Sequence, residues 1–341
     1  MNRLSIDETD LSFSILIFGI FFVLSNQIAG RILVPKYGTR LVMSLAFPLI
    51  TFSSLLSITS SSYFYFLLTF IPAGIGWGAS GPIGGIHSQL IEKHFKKIIT
   101  PYYAMGFNIG ILVGGGLAGI IMRYNFEPYI IFLVLSFSSI LVAFLVLHLG
   151  LPSNLDFKGK GEKFKIPESN VLIFGFLLFF VFGSGGIIMD WSTLWLSKDL
   201  NTPLYLASTG LIFFSIGGIL ANLFSNTLIN IFNEKVVGCY FVMIGSSILL
   251  LSLLTNNFYI ILGVLCIYGF AIANLVPIVI RQAVKQSNES IPMTVTNLIT
   301  IGLSSTMIMP AAIGFLAETF SLTLNMYLPV SYTHLRAHET K

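Results

Sequence analysis

The chain has 341 residues, of which 18 are Lys or Arg and 14 are Asp or Glu, so that 9% are charged against 55% apolar. Soluble domains carry about 25% charged residues, and a surface this poor in ions excludes a soluble globular enzyme and a disordered chain. The net charge of +4 is spread over short loops instead of gathered into a patch, which excludes a nucleic-acid-binding module; a mean hydropathy of +0.88 leaves a polytopic membrane protein.

Met1 to Asp10 is polar and acidic, and the apolar run behind it is too long for a cleaved secretory segment. Crossing a bilayer as a helix takes roughly 20 apolar residues, because backbone amides in lipid must be satisfied within the segment. Ten stretches meet that length: Leu11–Gly30, Leu41–Thr59, Tyr63–Gly85, Tyr102–Met122, Tyr129–Leu149, Val171–Leu196, Leu206–Ile231, Val236–Leu254, Tyr259–Ile280 and Met293–Phe315. An eleventh, Leu322–Val330, starts and breaks off too short to cross. The runs are longer than strands and lack a period of two, so an all-helical fold is expected. One set of loops holds Arg31, Lys36, Arg40, Lys93, Lys96, Lys97, Lys158, Lys160, Lys163, Lys165, Lys235, Arg281 and Lys285, and the alternate set only Arg3, Arg123 and Lys198. That alternation places the first set in the cytoplasm and Met1 outside.

The residues that carry chemistry follow in chain order. Asn26 and Gln27 lie inside the first span, and amides in hydrocarbon cost free energy unless paired. With Asn108, Asn222, Asn226, Asn274 and Asn297 they are expected to face the bundle interior, as interhelical links or as the lining of an uncharged polar cavity. Few cations lie among them, which points to a neutral or mildly polar solute over a polyanion. In the first basic turn Gly38 can adopt a positive φ and close a reversal, while Lys36 and Arg40 can cap helix C-termini. Trp77 and Tyr103 read as core packing or as rings that stack on a solute. His87, near the cytoplasmic end of the third span, reads as an interfacial residue, and Arg281 as a snorkelling cation or an anion contact. Gly106, Gly110 and Gly114, continued by Ala118, recur every four residues and are expected to form a smooth face for close helix packing. The dinucleotide-like run Gly114–Gly119 has no strand before it and lies in lipid, so it is not a nucleotide site. Asp190 is the carboxylate inside or near the end of a long apolar segment; such acids are candidates for proton coupling, although Trp191 and Trp195 beside it also suit a water-facing belt. Cys239 and Cys266 fall in apolar runs and read as small buried thiols.

The long loop Gly150–Asn170, with seven charged residues among Gly, Pro and Ser, separates an N-terminal half bundle (1–149) from a C-terminal one (171–329), with the loop itself as the linker (150–170). Two echoes relate the halves: Arg31–Arg40 with Asn226–Lys235, and Gly81-Pro82-Ile83 with Val276-Pro277-Ile278. Both are displaced by one helix, which suggests a six-plus-six architecture lacking its leading helix and most of its last. Residues 330–341 break the apolar run, resemble the translation of a sequencing-library adapter, and read as a non-native tail.

Two helical halves, a cytoplasmic linker and a Gly-Thr-Arg turn resemble the major facilitator superfamily, and within it the YbjJ-like group of bacterial inner-membrane transporters. The matching pieces are Leu33-Val-Pro-Lys-Tyr-Gly-Thr-Arg40, Asp190-Trp191, Pro277, Gly302 through Pro310, and Gly314 to Glu318. The resemblance implies that Lys36, Gly38 and Arg40 help hold the outward-facing state. The chain departs from the family pattern where Val34 and Pro35 stand in place of an acid, at Asn222 and Asn230, and at Gly185, so its cytoplasmic charge network is thin. The expectation is a monomeric secondary transporter of a small polar solute in the bacterial inner membrane, working by alternating access and coupled to protons through Asp190. It needs no cofactor, metal or nucleic-acid partner, and no converging acids or His cluster suggest an enzyme. A drug or metabolite efflux antiporter and a transporter-like sensor without flux are the alternatives; a channel is disfavoured because no re-entrant filter or ring of like charge is visible.

Overall fold

The computed structural model describes residues 8–319 apart from 125, 153, 154, 158, 160 and 162. Among the described residues every regular element is helical: α1 (Glu8–Ile28), α2 (Val34–Thr59), α3 (Tyr63–Phe95), α4 (Thr100–Tyr124), α5 (Pro128–Leu149), α6 (Ser169–Lys198), α7 (Leu204–Ala207), α8 (Thr209–Leu223), α9 (Ser225–Lys235), α10 (Phe241–Ser252), α11 (Phe258–Ala273), α12 (Leu275–Gln286) and α13 (Ile291–Thr319). Five-residue π-helical turns, Ala29–Leu33 and Val236–Tyr240, join α1 to α2 and α9 to α10.

Eight helical runs among the described residues are long and apolar enough to cross a bilayer. The sequence reading expects ten, and the difference has two sources. The run Phe13–Thr59, of 47 residues, carries two of them, because the helix continues through a π turn where the sequence suggests a loop. The tenth expected stretch, Met293–Phe315, falls on α13, whose side chains beyond Ile308 are outside the described residues, and so is the stub Leu322–Val330. The third span runs past Gly85 to Phe95, so that His87 stands on a helix; Lys96, at φ 54°, caps it.

The chain forms two compact units. The first takes α1, α2, α3, α5, the linker and α13 up to Thr300; the second takes α4, α6 from Ile173, α7 to α12, and α13 from Ile301. In the first, α1 and α2 both pack on α3, and α5 on α2. Glycine makes the first of these contacts close: a Cβ at Gly74 or Gly78 would lie 2.5 Å from the Phe18 carbonyl oxygen or 2.2 Å from that of Phe22. In the second unit α8 and α11 pack through reciprocal glycines, since a Cβ at Gly217 would lie 1.9 Å from Cys266 O and one at Gly269 2.0 Å from Phe214 O.

The glycine face expected on α4 has no neighbour within its own unit among the described residues. A Cβ at Gly106, Gly110 or Gly114 would meet nothing within 4 Å. α4 instead meets α8 through Asn108, Gly115 and Gly119: the Asn108 amide lies against Gly218, and Cβ atoms at Gly115 and Gly119 would approach Ile212 and Ser208. A four-residue period marks a helix face without saying which neighbour covers it, and here the polar Asn108 is on the covered side.

A backbone break recurs at the same sequence separation as the Pro82–Pro277 echo. Gly38 interrupts α2 at φ 83°, ψ 164°, and Asn233 interrupts α9 at φ 64°, ψ 166°. This region is essentially reserved for glycine, so Asn233 is strained where its counterpart is not.

Candidate functional site

In the first unit, Asn26, Gln27, Gly30 and Arg31 share one side of α1 and its π turn, while Met293, Thr296, Asn297 and Thr300 recur along α13 at the three- and four-residue steps that align side chains on a helix. Gly30 makes the approach possible, because a Cβ there would lie 1.6 Å from Thr296 Oγ1. The result is a continuous polar chain. Glu289 Oε2 accepts from Asn297 Nδ2 at 3.1 Å, and Asn297 Oδ1 accepts from an Arg31 terminal nitrogen at 2.8 Å. Arg31 Nε donates to Gln27 Oε1 at 2.6 Å, Gln27 Nε2 donates to Thr300 Oγ1 at 2.6 Å, and the Thr300 hydroxyl donates to Asn26 Oδ1 at 2.8 Å. Arg31 is 5% exposed and Asn26 fully buried. The arrangement spreads one buried positive charge over amide and hydroxyl dipoles, and it leaves Asn26 Nδ2 and Thr296 Oγ1 without hydrogen-bond partners.

Arg31 reads from the sequence as one more loop cation; the structure places it in this core. The signal that finds it is its spacing of four and five residues from Gln27 and Asn26 on a helix that does not stop at Gly30. Asn26, Gln27 and Asn297, three of the expected cavity amides, are brought together by it.

The linker lies along the same elements. Asp156 Oδ1 accepts from the Thr39 hydroxyl at 3.0 Å, and Gly159 N donates to Pro35 O at 3.3 Å. The Lys163 carbonyl accepts from Arg31 at 3.0 Å, with the guanidinium 4.9 Å from the Phe164 ring centroid. Glu168 Oε2 accepts from Asn288 N, and Glu168 N donates to Glu289 Oε1. The linker residues therefore ascend as the α2 and π-turn residues descend, which makes this segment a strap. Gly38 is required beneath it, because a Cβ there would lie 2.4 Å from Asp156 Oδ2. Asp156 supplies a carboxylate beside a turn whose own sequence has Val34 and Pro35, and it lies within electrostatic range of His87. Lys36 is exposed, its ammonium 4.9 Å from the centroid of the neighbouring Tyr37 ring. Arg40 packs its stem on Gly150.

The second unit repeats the device with different chemistry. After the break at Asn233, Glu234 Oε1 lies 2.8 Å from a terminal nitrogen of Arg281, and Gln282 Nε2 donates to Glu234 Oε2. Arg281 is 4% exposed. Further along the same helices, Asn274 Nδ2 donates to Ala221 O at 3.0 Å, at the level where α8 ends at Leu223 and α11 at Ala273. Asn222, fully buried there, has no hydrogen-bond partner for either amide atom, and neither has the Ser225 hydroxyl.

The other expected residues do not join these clusters. Asn108 bonds its own Ala104 carbonyl at 3.0 Å and packs on α8. Asn226 Nδ2 donates to the Tyr102 hydroxyl oxygen at 3.4 Å, and Tyr103 is half-buried on α4. Trp77 is 46% exposed, so it is not a core residue. Cys239 and Cys266 are free thiols and half-buried, less enclosed than their apolar context suggests. Asp190 stands on α6 directly after the apolar run Ser169–Met189, and its side chain lies outside the described residues.

A helical chain with several runs long and apolar enough to cross a bilayer defines a multi-pass membrane protein. The family model described as Major Facilitator Superfamily matches residues 1–310, and the chain belongs to that superfamily. It is 25% identical over 333 residues to an uncharacterised MFS-type transporter of Yersinia pestis, a match covering 94% of this chain and 83% of the relative. Its fold is similar to the crystal structure of the human organic anion transporter MFSD10 (TETRAN), with a TM-score of 0.72, 14% identity, and coverage of 96% of this chain and 82% of that one. Membership of this family points to membrane transport of a small molecule and not to an enzyme.

Proposed function

We propose that the protein is a secondary active transporter that carries a small polar solute across the bacterial inner membrane by alternating access, coupled to protons through Asp190. The observation that carries this reading is the set of amides and hydroxyls placed in apolar helices with unmet hydrogen-bonding capacity: Asn26 Nδ2, Thr296 Oγ1, both amide atoms of Asn222, Asn274 Oδ1 and Ser225 Oγ. Groups of this kind cost free energy in a dry interior, and a polar solute or the water that precedes it relieves that cost. Asp190 is favoured as the coupling group by its position directly behind an apolar span, where a carboxylate that meets water from alternating sides can load and release a proton.

The test is solute uptake by purified protein in proteoliposomes under an imposed proton gradient. Asp190→Asn is expected to abolish gradient-driven accumulation and to leave solute counterflow intact. Accumulation by the variant equal to that of the parent removes the coupling assignment, and absence of both activities in the parent removes the transporter reading.

A further inference from the structure

Arg281 presents a buried cation whose donors the described structure does not use. A guanidinium carries five N–H donors in a fixed planar fork. Arg281 is 4% exposed, yet Nε and both terminal nitrogens make no hydrogen bond. Its ion pair with Glu234, 2.8 Å from one terminal nitrogen, brings the charges together without hydrogen-bond alignment. Glu234 is the outer partner, 21% exposed against 5% for Arg281 by side chain. Its second oxygen is already taken by Gln282. Breaking or under-filling a buried ion pair is costly because the remaining charge has no solvent. The vacant donors therefore call for a second acceptor, and the planar two-oxygen geometry of a carboxylate matches the guanidinium fork. Glu234 follows the strained Asn233 break at the end of α9, so its side chain can turn to water without unpacking a helix interior.

We infer that Arg281 is the receptor for the carboxylate of a small organic acid, with Glu234 as the built-in competitor that occupies the guanidinium when the acid is absent. One cation, half-neutralised by Glu234, suits a single carboxylate and not a polyanion. Pro277 and Ile278, buried on α12 four and three residues before it and so on the same helix face, suit an apolar remainder on the acid. The inference names a solute class for the transport reading and rests on that reading only for the step from binding to movement.

The experiment measures thermal unfolding of the purified full chain in detergent against increasing acetate, benzoate or succinate, with chloride and sulfate at matched ionic strength as controls. A saturable rise in melting temperature is expected with acetate or benzoate and not with chloride or sulfate. It disappears in Arg281→Gln, persists at lower affinity in Arg281→Lys, and moves to at least tenfold lower concentration in Glu234→Gln, where the internal competitor has lost its charge. The same response in Arg281→Gln, or no carboxylate response in either the parent or Glu234→Gln, overturns the proposal. A sulfate response equal to that of the monocarboxylates overturns the assignment of ligand class. If Arg281→Gln does not fold, the Glu234→Gln shift decides alone: unchanged affinity there sinks the competitor. Carboxylate binding without any uptake in proteoliposomes leaves this site standing and removes the transport reading, whereas uptake of uncharged solutes without carboxylate binding does the reverse.

Discussion

A guanidinium at 5% exposure is costly in an apolar bundle unless its donors are met, and Arg31 meets them with Gln27, Asn297 and the Lys163 carbonyl. Asn297 is the central link, because it accepts from Arg31 and donates to Glu289. Asn297→Leu keeps the volume but leaves a charged donor without its acceptor, a loss of about 1.5–3 kcal/mol for a hydrogen bond to an ion. The expected outcome is a denaturation midpoint lowered accordingly in detergent, with Thr300→Val costing less because its partners are neutral. Equal midpoints for Asn297→Leu and the parent would show that Arg31 does not depend on this amide. At this scale the sequence is informative about amides and poor about cations. An Asn or Gln in an apolar run has no cheap place except the interior, so Asn26 and Asn297 are legible as buried and Gln27 as half-buried. A Lys or Arg beside a Gly and a Pro looks like any positive-inside loop, and only the helical continuation through residues 29–33 brings Arg31 indoors.

Helices in this chain approach one another where a hydrogen replaces a side chain, and the two glycine populations respond oppositely to a methyl group. Gly269→Ala puts a carbon 2.0 Å from the Phe214 carbonyl oxygen, an overlap that α8 and α11 relieve only by separating, at about 1–3 kcal/mol. Gly106→Ala meets nothing within 4 Å and gains the helix preference of alanine, about 0.5–1 kcal/mol. Melting curves of the two variants are expected to move in opposite directions, and a loss of stability at Gly106 would put a neighbour on that face. The break at Asn233 gives a third case, since its backbone at φ 64°, ψ 166° belongs to glycine. The side chain does make one compensating contact, accepting from Val236 N at 3.0 Å. Asn233→Gly relieves strain of about 1–3 kcal/mol and forgoes that hydrogen bond, so a net rise in stability of about 1 kcal/mol is expected. Periodicity shows that α4 has a smooth face but not what lies against it. The Arg31–Arg40 and Asn226–Lys235 echo is more informative, because a turn that needs a given backbone conformation leaves the same mark twice even when the residues differ.

Across the whole molecule, apolar run length is what the sequence conveys best: lipid demands helices that satisfy their own amides, and the superfamily follows from the run of such helices and its match over residues 1–310. What composition conceals is the linker. Gly, Pro, Ser and Lys over Gly150–Asn170 describe a flexible tether, yet Asp156, Gly159, Lys163 and Glu168 are each fastened by hydrogen bonds that depend on distant parts of the chain. This difference can be measured by limited trypsin digestion of the purified protein in detergent, followed by mass spectrometry of the linker peptides. Trypsin cuts after lysine, and the carbonyl it must attack at Lys163 is held by the buried Arg31 guanidinium at 3.0 Å. Local cleavage tracks the free energy of opening the strand around the scissile bond. Lys165, exposed and only two residues on, provides an internal reference in the same segment. Cleavage after Lys165 is expected to precede cleavage after Lys163 several-fold in the parent. Arg31→Met, which removes the donor and the cation–π contact with Phe164 while keeping an apolar stem, is expected to bring the two rates together. If both sites are cut at one rate in the parent, the linker is the loose tether its composition suggests, and the hydrogen bonds from Arg31 and Thr39 do not hold it in solution.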